Sequence, residues 1–126
     1  MPLQKNPKRN CPMSEFFQSE VVRAAMAELS ELQEEVYKNV FKFPTMSPED
    51  KAYHIDVLEK LMEKQQVMYA RLSLSNDPEA QQMKKQIEQS AVTMGLPKNV
   101  DMNTVFKDMS RMIDLMRSHV DKELES

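Results

Sequence analysis

The stretch that decides the fold is MSPEDKAYHIDVLEKLMEKQQVMYARLSLSNDPEA, residues 46–80. Similar signals stand near its two ends, SPE at 47–49 and DPE at 77–79. Each places a side chain that can cap a helix before a proline suited to the first helical position, followed by an acid that faces the positive end of the helix dipole. The sequence therefore predicts one helix over about 48–72 and the start of another at 78.

Between these signals, apolar side chains recur every three or four residues, which is the spacing of one face of a helix. This stripe contains Ile55, Leu58, Met62, Tyr69 and Leu72, and it is widened by Leu61 and Met68. We expect this face to pack against the rest of the protein.

The same patterns predict two more helices and the end of the third. Ser14 is a candidate cap for a first helix over about 15–42, which Pro44 should end. The helix that starts at 78 should reach about 94 and stop at Gly95, and Asp101 or Asn103 should open a last helix over about 102–124. Their apolar stripes are Val22, Met26, Leu29, Val36, Val40 and Phe43 with Leu32 beside them; Met83, Ile87, Ala91 and Met94; and Met102, Phe106, Met109, Ile113 or Met112, Met116, Val120 and Leu124.

Composition supports an all-α protein. The 126 residues include one glycine, no tryptophan and twelve methionines, whereas sheets and tight turns draw on glycine and β-branched residues. We predict a single helical domain over 14–126. Its helices form an antiparallel four-helix bundle, or a long helical hairpin with two further packed helices.

Residues 1–13 contain three prolines and few apolar side chains, which predicts a flexible basic arm. The arm carries a charge of +3 and the remaining residues carry −6. Three interpretations are open. The arm contacts an acidic partner or a phosphate backbone, it is a solvated leader, or it is sequence upstream of a translation start at Met13. The single Cys11 cannot form an internal disulfide, and no apolar run is long enough to span a membrane. We expect a cytoplasmic protein, in the host cytoplasm if it is phage-encoded, or a virion component.

The sequence predicts no enzyme, no cofactor and no metal site. Lys51 and Met116 stand three residues before His54 and His119, so the Glu-x-x-His pairs of di-iron bundles are missing, and we expect surface contacts from both histidines. A lone Gly95 excludes the P-loop and the dinucleotide fingerprint.

Two sets of residues are candidates for binding. Adjacent Phe16 and Phe17 cannot both face one helical seam, and methionine side chains adapt to varied apolar partners, although core packing is the alternative at helical spacing. The predicted contacts with a protein partner are Phe16, Phe17, Glu20, Arg71, Met109, Met112 and Met116. The alternative is a nucleic-acid or transcription accessory protein. Its contacts would be Lys5, Lys8, Arg9, Lys60 and Lys64, with Arg71 as a further basic residue. Acidic residues interleaved with these lysines, and the charge of −6 on the residues after the arm, weigh against it.

Three segments resemble a small all-helical family without an assigned function: SEFFQSEVV at 14–22, LEKLMEKQQVMYARLSLSND at 58–77 and the Met-rich last helix. The family occurs chiefly in cyanobacteria, and members are expected in cyanophages. The arm at 1–13 is extra, and GLPKNVDMNT at 95–104 is longer than the usual connection. The resemblance implies a cyanobacterial or cyanophage setting, but it carries over no functional residue.

These observations favour a non-enzymatic interaction module that associates with itself or serves as an adaptor, an accessory or regulatory subunit of a larger cyanobacterial or phage assembly. A structural component of a phage particle is a further alternative.

Overall fold

The computed structural model describes residues 15–93, 95–98 and 101–125, and in these ranges it is helical and contains no strand. The α-helices are α1 (Glu15–Gln18), α2 (Glu20–Asn39), α3 (Pro48–Leu74), α4 (Pro78–Thr93) and α5 (Met102–Glu125), and a 3-10 helix covers Val40–Thr45. The predicted all-α class is confirmed. The predictions for the arm at 1–13, for Ser14 and for Met94 fall outside the described residues.

The predicted helix starts are confirmed by their hydrogen bonds. The backbone N–H of Asp50 donates to Oγ of Ser47 at 3.1 Å, so Ser47 caps α3. The N–H of Glu79 donates to Oδ1 of Asp77 at 2.9 Å, which gives α4 the same kind of start. Of the two residues that could open α5, Asp101 and Asn103, the structure shows that Asp101 is the cap, because its Oδ1 accepts the N–H of Asn103 at 3.0 Å.

Gly95 ends α4 as predicted. Its φ of +106° lies in the region that side chains with a Cβ rarely adopt. The N–H of Gly95 donates to the carbonyl of Val92 at 3.0 Å, and that of Leu96 donates to the carbonyl of Ala91 at 3.1 Å. These two bonds satisfy carbonyls that the last helical turn would otherwise leave unpaired.

The predicted helix over 15–42 begins at Glu15 as expected, but the prediction that it is continuous and ends at Pro44 is wrong. Ser19 separates α1 from α2, because its hydroxyl accepts the N–H of Val22 at 3.5 Å and so starts a new helix. At the other end, α2 stops at Asn39 and the 3-10 helix continues through Pro44. A proline φ of about −65° suits a 3-10 helix, so Pro44 does not end the helical segment.

The chain forms two compact units, and it passes from one to the other within α2, within α3 and between α4 and α5. Of the described residues, the first unit takes 15–26, 67–93 and 95–98, and the second takes 27–66 and 101–125. In the second unit the first part of α3 runs antiparallel to both neighbours. Lys64 of α3 lies 3.1 Å from Glu28 of α2, and Lys51 of α3 lies 3.4 Å from Glu123 of α5.

Each unit has its own buried apolar residues. Those of the first unit are Val22, Met68, Leu72, Ala80 and Ala91. Those of the second are Val36, Ile55, Val57, Leu61, Met62, Met102, Phe106, Ile113 and Val120, and Leu29, Leu32 and Leu58 pack against the cluster of Val36, Val57 and Leu61. The predicted core positions Val40 and Leu124 are wrong, because both are exposed. Met109 and Met112, predicted as partner contacts with core packing as the alternative, are exposed as well.

Candidate interaction surface

Helix α5 exposes three large apolar side chains in a row, which we call the α5 row: Met109, Met112 and Leu115. Their exposed fractions are 39%, 64% and 62%. Because they stand at i, i+3 and i+6, they follow one ridge of the helix over about 9 Å. An apolar ridge of this kind is available to a partner that brings its own apolar side chains.

The buried face of α5 lies beside this row. Ile113 is the core residue of the pair that sequence spacing left open, and Met112 is exposed. Met116 is half-buried and follows exposed Met109 by two turns on the same side of the helix. Leu115 was missed in the sequence, although the three-residue steps from Met109 to Met112 and Leu115 would have indicated a second stripe.

Ion pairs hold α5 on the unit that carries it. Arg117 lies 2.9 Å from Oδ1 of Asp56 and 3.0 Å from Oε1 of Glu59, both on α3. The hydrogen bond to Asp56 is the main cause that raises the pKa of Arg117 above its usual value. Near the row itself, Arg111 pairs with Asp108 at 3.0 Å within α5. The row therefore stands on a fixed helix, next to charges that already neutralise each other.

Phe16 and Phe17 are half-buried in the first unit, with their rings edge to face and 5.0 Å apart. The N–H of Phe16 donates to Oδ2 of Asp77 at 3.2 Å, which joins α1 to the start of α4. Glu20, the third predicted contact here, is exposed in the first turn of α2. The structure therefore brings the two rings together, and it places them close to the turn before α4.

The predicted basic residues do not form one surface within either unit. Arg71 is half-buried in the last turn of α3, and in the part of the chain that the structure describes it makes no hydrogen bond or ion pair. Lys64 is paired with Glu28, whereas Lys60 is exposed. The other three candidates, Lys5, Lys8 and Arg9, lie outside the described residues.

A hollow of about 450 Å³ opens in the second unit beside the 3-10 helix. Glu35, Lys42, Asp50, Tyr53 and His54 are among its lining residues. The carboxylate of Glu35, chiefly as a hydrogen-bond acceptor, raises the pKa of the Tyr53 phenol. Contrary to the expected surface contact, His54 is 4% exposed, and burial lowers its pKa.

His54 is held by packing. The centroid of its ring lies 5.4 Å from that of Phe43, and Nζ of Lys51 lies over the Phe43 ring, 5.7 Å from its centroid. The sequence pattern missed this role because a histidine at a helical position between apolar residues looks the same whether it faces water or the core. We interpret the hollow as the space between the 3-10 helix and α3.

Within 15–93, 95–98 and 101–125, no three His, Cys, Asp or Glu side chains are grouped so that they could hold a metal ion. In the same ranges, no helix combines the length and the apolar character that crossing a membrane requires.

No curated protein and no solved structure is significantly similar to this chain. A family match covers residues 14–120, which include every helix described above up to the last turns of α5. The match begins at the SEFFQSEVV segment and contains the α5 row. The chain therefore belongs to the family described as "Domain of unknown function (DUF1825)".

Proposed function

We propose that the protein is a non-enzymatic helical interaction module, an accessory or regulatory subunit that docks on a larger assembly through the α5 row. The observation that carries the proposal is the exposure of Met109, Met112 and Leu115 on one ridge of a helix whose adjacent face is packed. Met116, half-buried at the edge of this ridge, would extend the contact.

The row suits an apolar helix of a partner protein. Side chains at i, i+3 and i+6 form a ridge that packs into the groove of a second helix. Covering a methionine or leucine contributes roughly 1.5–3 kcal/mol per fully buried side chain, so three partly exposed ones can supply a useful part of a binding free energy. The neighbouring Asp108–Arg111 pair adds no net charge that would select a charged partner.

The test is purification of the tagged full-length chain from its native cells, with quantitative mass spectrometry of what is retained. A Met112→Ser, Leu115→Ser variant should lose a specific partner by at least about tenfold, which corresponds to about 1.4 kcal/mol. The matched control is Leu74→Ser, because Leu74 is 86% exposed and lies on α3 in the other unit. This control should retain the partner.

Three outcomes would count against the proposal. Equal retention of the partner by the wild type, the row variant and the Leu74→Ser control would show that the row does not bind. Equal loss of the partner in the control would show that the substitutions removed only nonspecific hydrophobic association. If light scattering shows that the row variant only changes the mass of the free protein, the occupant is a second copy, and the accessory role fails.

Phe16, Phe17, Glu20 and Arg71 remain predicted contacts of the same function. Because Phe16 also bonds Asp77, a Phe16→Ala, Phe17→Ala variant must be measured for both helicity and partner retention. Loss of the partner with helicity intact supports a contact role, and unchanged retention counts against it.

We also propose a cyanobacterial or cyanophage setting, which the resemblance of residues 14–22 and 58–77 supports. Mass spectrometry of purified phage particles would separate a virion component from a cytoplasmic subunit. For the nucleic-acid alternative, a phosphate at Lys64 would compete with the carboxylate of Glu28, which lies 3.1 Å from that lysine. Titration with DNA or RNA at two salt concentrations tests it, since contacts to phosphates weaken as salt rises.

A further inference from the structure

A second exposed apolar group stands where α2 passes into the 3-10 helix. Tyr37, Val40 and Phe41 are 70%, 42% and 93% exposed, and we call them the aromatic knuckle. They stand at i, i+3 and i+4 and so share one side of the helical segment. An almost fully exposed phenylalanine beside two further apolar side chains is a feature of binding surfaces.

The knuckle is flanked by positive charge. Lys38 and Lys42 each follow one of its aromatic residues, and both are exposed. In the part of the chain that the structure describes, neither lysine has a carboxylate partner. Lys51 and Lys64 of the same unit, by contrast, are paired with Glu123 and Glu28.

The segment that carries the knuckle is held by its own contacts. The side-chain amide of Asn39 donates to the carbonyl of Glu35 at 3.0 Å, and the hydroxyl of Thr45 donates to the carbonyl of Lys42 at 2.9 Å. Phe43 turns its ring to buried His54 while Phe41, two residues earlier, faces solvent. A surface that is already held in place loses little conformational entropy when it binds.

We propose that the aromatic knuckle docks an acidic, amphipathic segment of a partner protein. The apolar side chains of that segment meet Tyr37, Val40 and Phe41, and its carboxylates meet Lys38 and Lys42. The proposal rests on the function proposed above, an interaction module, but it uses a surface separate from the α5 row. The two proposals can therefore fail independently.

Charge selects this occupant over two others. Two knuckles face to face would bring four lysines together, which disfavours a second copy of the chain in this place. Single-stranded nucleic acid also stacks on aromatic side chains, but it requires a positive groove that follows the backbone. Here exposed Glu34 and Glu31 lie one and two turns before Lys38 on the same helix, so the positive charge is confined to Lys38 and Lys42 and forms no such groove.

The test uses fluorescence anisotropy with the full-length chain and two labelled synthetic peptides. Both peptides place leucines at i, i+3, i+4 and i+7; one carries glutamates at the flanking positions and the other carries lysines. A Tyr37→Ser, Phe41→Ser variant removes the rings, and a Lys38→Glu, Lys42→Glu variant reverses the charge. Since all four residues are exposed, circular dichroism should show unchanged helicity for both variants.

We expect the acidic peptide to bind the wild-type chain, and each variant to bind it at least about tenfold more weakly. The charge-reversed variant should prefer the lysine peptide instead. The Met112→Ser, Leu115→Ser variant should bind the acidic peptide like the wild type, which separates this surface from the α5 row.

No binding of the acidic peptide, equal binding of both peptides, or equal binding by the ring variant overturns the proposal. So does tighter binding of a labelled oligothymidylate that the ring variant loses, since the knuckle would then be a nucleic-acid platform. In any of these outcomes, the partner-retention test of the α5 row still stands by itself.

Discussion

The carboxylate of Asp77 accepts the backbone N–H of Phe16, sixty-one positions earlier in the chain. The same carboxylate caps α4 by accepting the N–H of Glu79. One side chain therefore starts a helix and also holds a distant helix against that start.

Replacing Asp77 by alanine should cost more stability than an ordinary helix cap. We expect Asp77→Ala to lower the free energy of unfolding by about 2–3 kcal/mol, because it removes a cap worth roughly 1 kcal/mol and leaves the N–H of Phe16 without its acceptor. Asp101→Ala, which removes only the cap of α5, is the control and should cost about 1 kcal/mol. Urea unfolding of both variants measures the difference, and equal losses would contradict the double role.

Stability should fall in mild acid because of His54. Burial holds the pKa of His54 below its usual value, and the charge of Glu35 offsets part of this effect. The unfolded chain then binds a proton near pH 6.5 that the folded chain refuses, so the free energy of unfolding decreases as the pH falls through that value.

Thermal unfolding between pH 7.5 and pH 5.5 measures this dependence. His54→Gln should unfold with a smaller decrease in midpoint temperature over that range than the wild type. His119→Gln is the matched control, because His119 is exposed, and it should keep the dependence of the wild type. If His54→Gln and His119→Gln respond alike to pH, burial of His54 is not the cause.

Arg117 should contribute more to stability than its neighbour Arg111. Arg117→Lys loses the simultaneous contacts to Asp56 and Glu59, because an ammonium cannot reproduce the fork of a guanidinium. We expect a loss of about 1 kcal/mol, a modest value since both carboxylates remain partly in water. Arg111→Lys affects an exposed pair within one helix and should change stability by less than about 0.5 kcal/mol. Chemical unfolding that ranks Arg111→Lys as the costlier change would refute this assignment.

Gly95 should tolerate no side chain without cost, even though there is room for one. A Cβ at this position would meet no heavy atom within 4 Å, so any loss of stability reports the backbone alone. We expect Gly95→Ala to cost about 1–2 kcal/mol and Gly95→Asn to cost less, because asparagine visits positive φ more readily. Similar unfolding midpoints for Gly95→Ala and the wild type would show that the turn adopts another conformation.

Helix starts and stops could be predicted because they depend on neighbouring residues. The contacts by which Ser47, Asp77, Asp101 and Gly95 start or end helices reach no more than three positions along the chain, and the sequence displays those positions directly. The break at Ser19 obeys the same chemistry. It was overlooked because an apolar repeat continues across it.

Which apolar stripe a neighbour covers could not be predicted. Met112 and Ile113 both fit the spacing of α5, but only packing against another helix buries the second and exposes the first. Val40 fits the stripe of α2 by count. The 3-10 helix begins at that residue and has three residues per turn, so the α-helical count does not extend to it, and Val40 is exposed.

The tyrosines give the knuckle a spectroscopic consequence. The chain has no tryptophan, so tyrosine fluorescence is not quenched by energy transfer to an indole. The phenol of Tyr69 donates a hydrogen bond to Glu88 at 2.7 Å, and the carboxylate of Glu35 is the acceptor that raises the pKa of Tyr53. A carboxylate beside a phenol weakens its fluorescence, because the excited phenol transfers its proton to that acceptor. Tyr37, 70% exposed, should therefore be the brightest of the three, so the unlabelled protein carries a fluorophore at the place where docking is proposed.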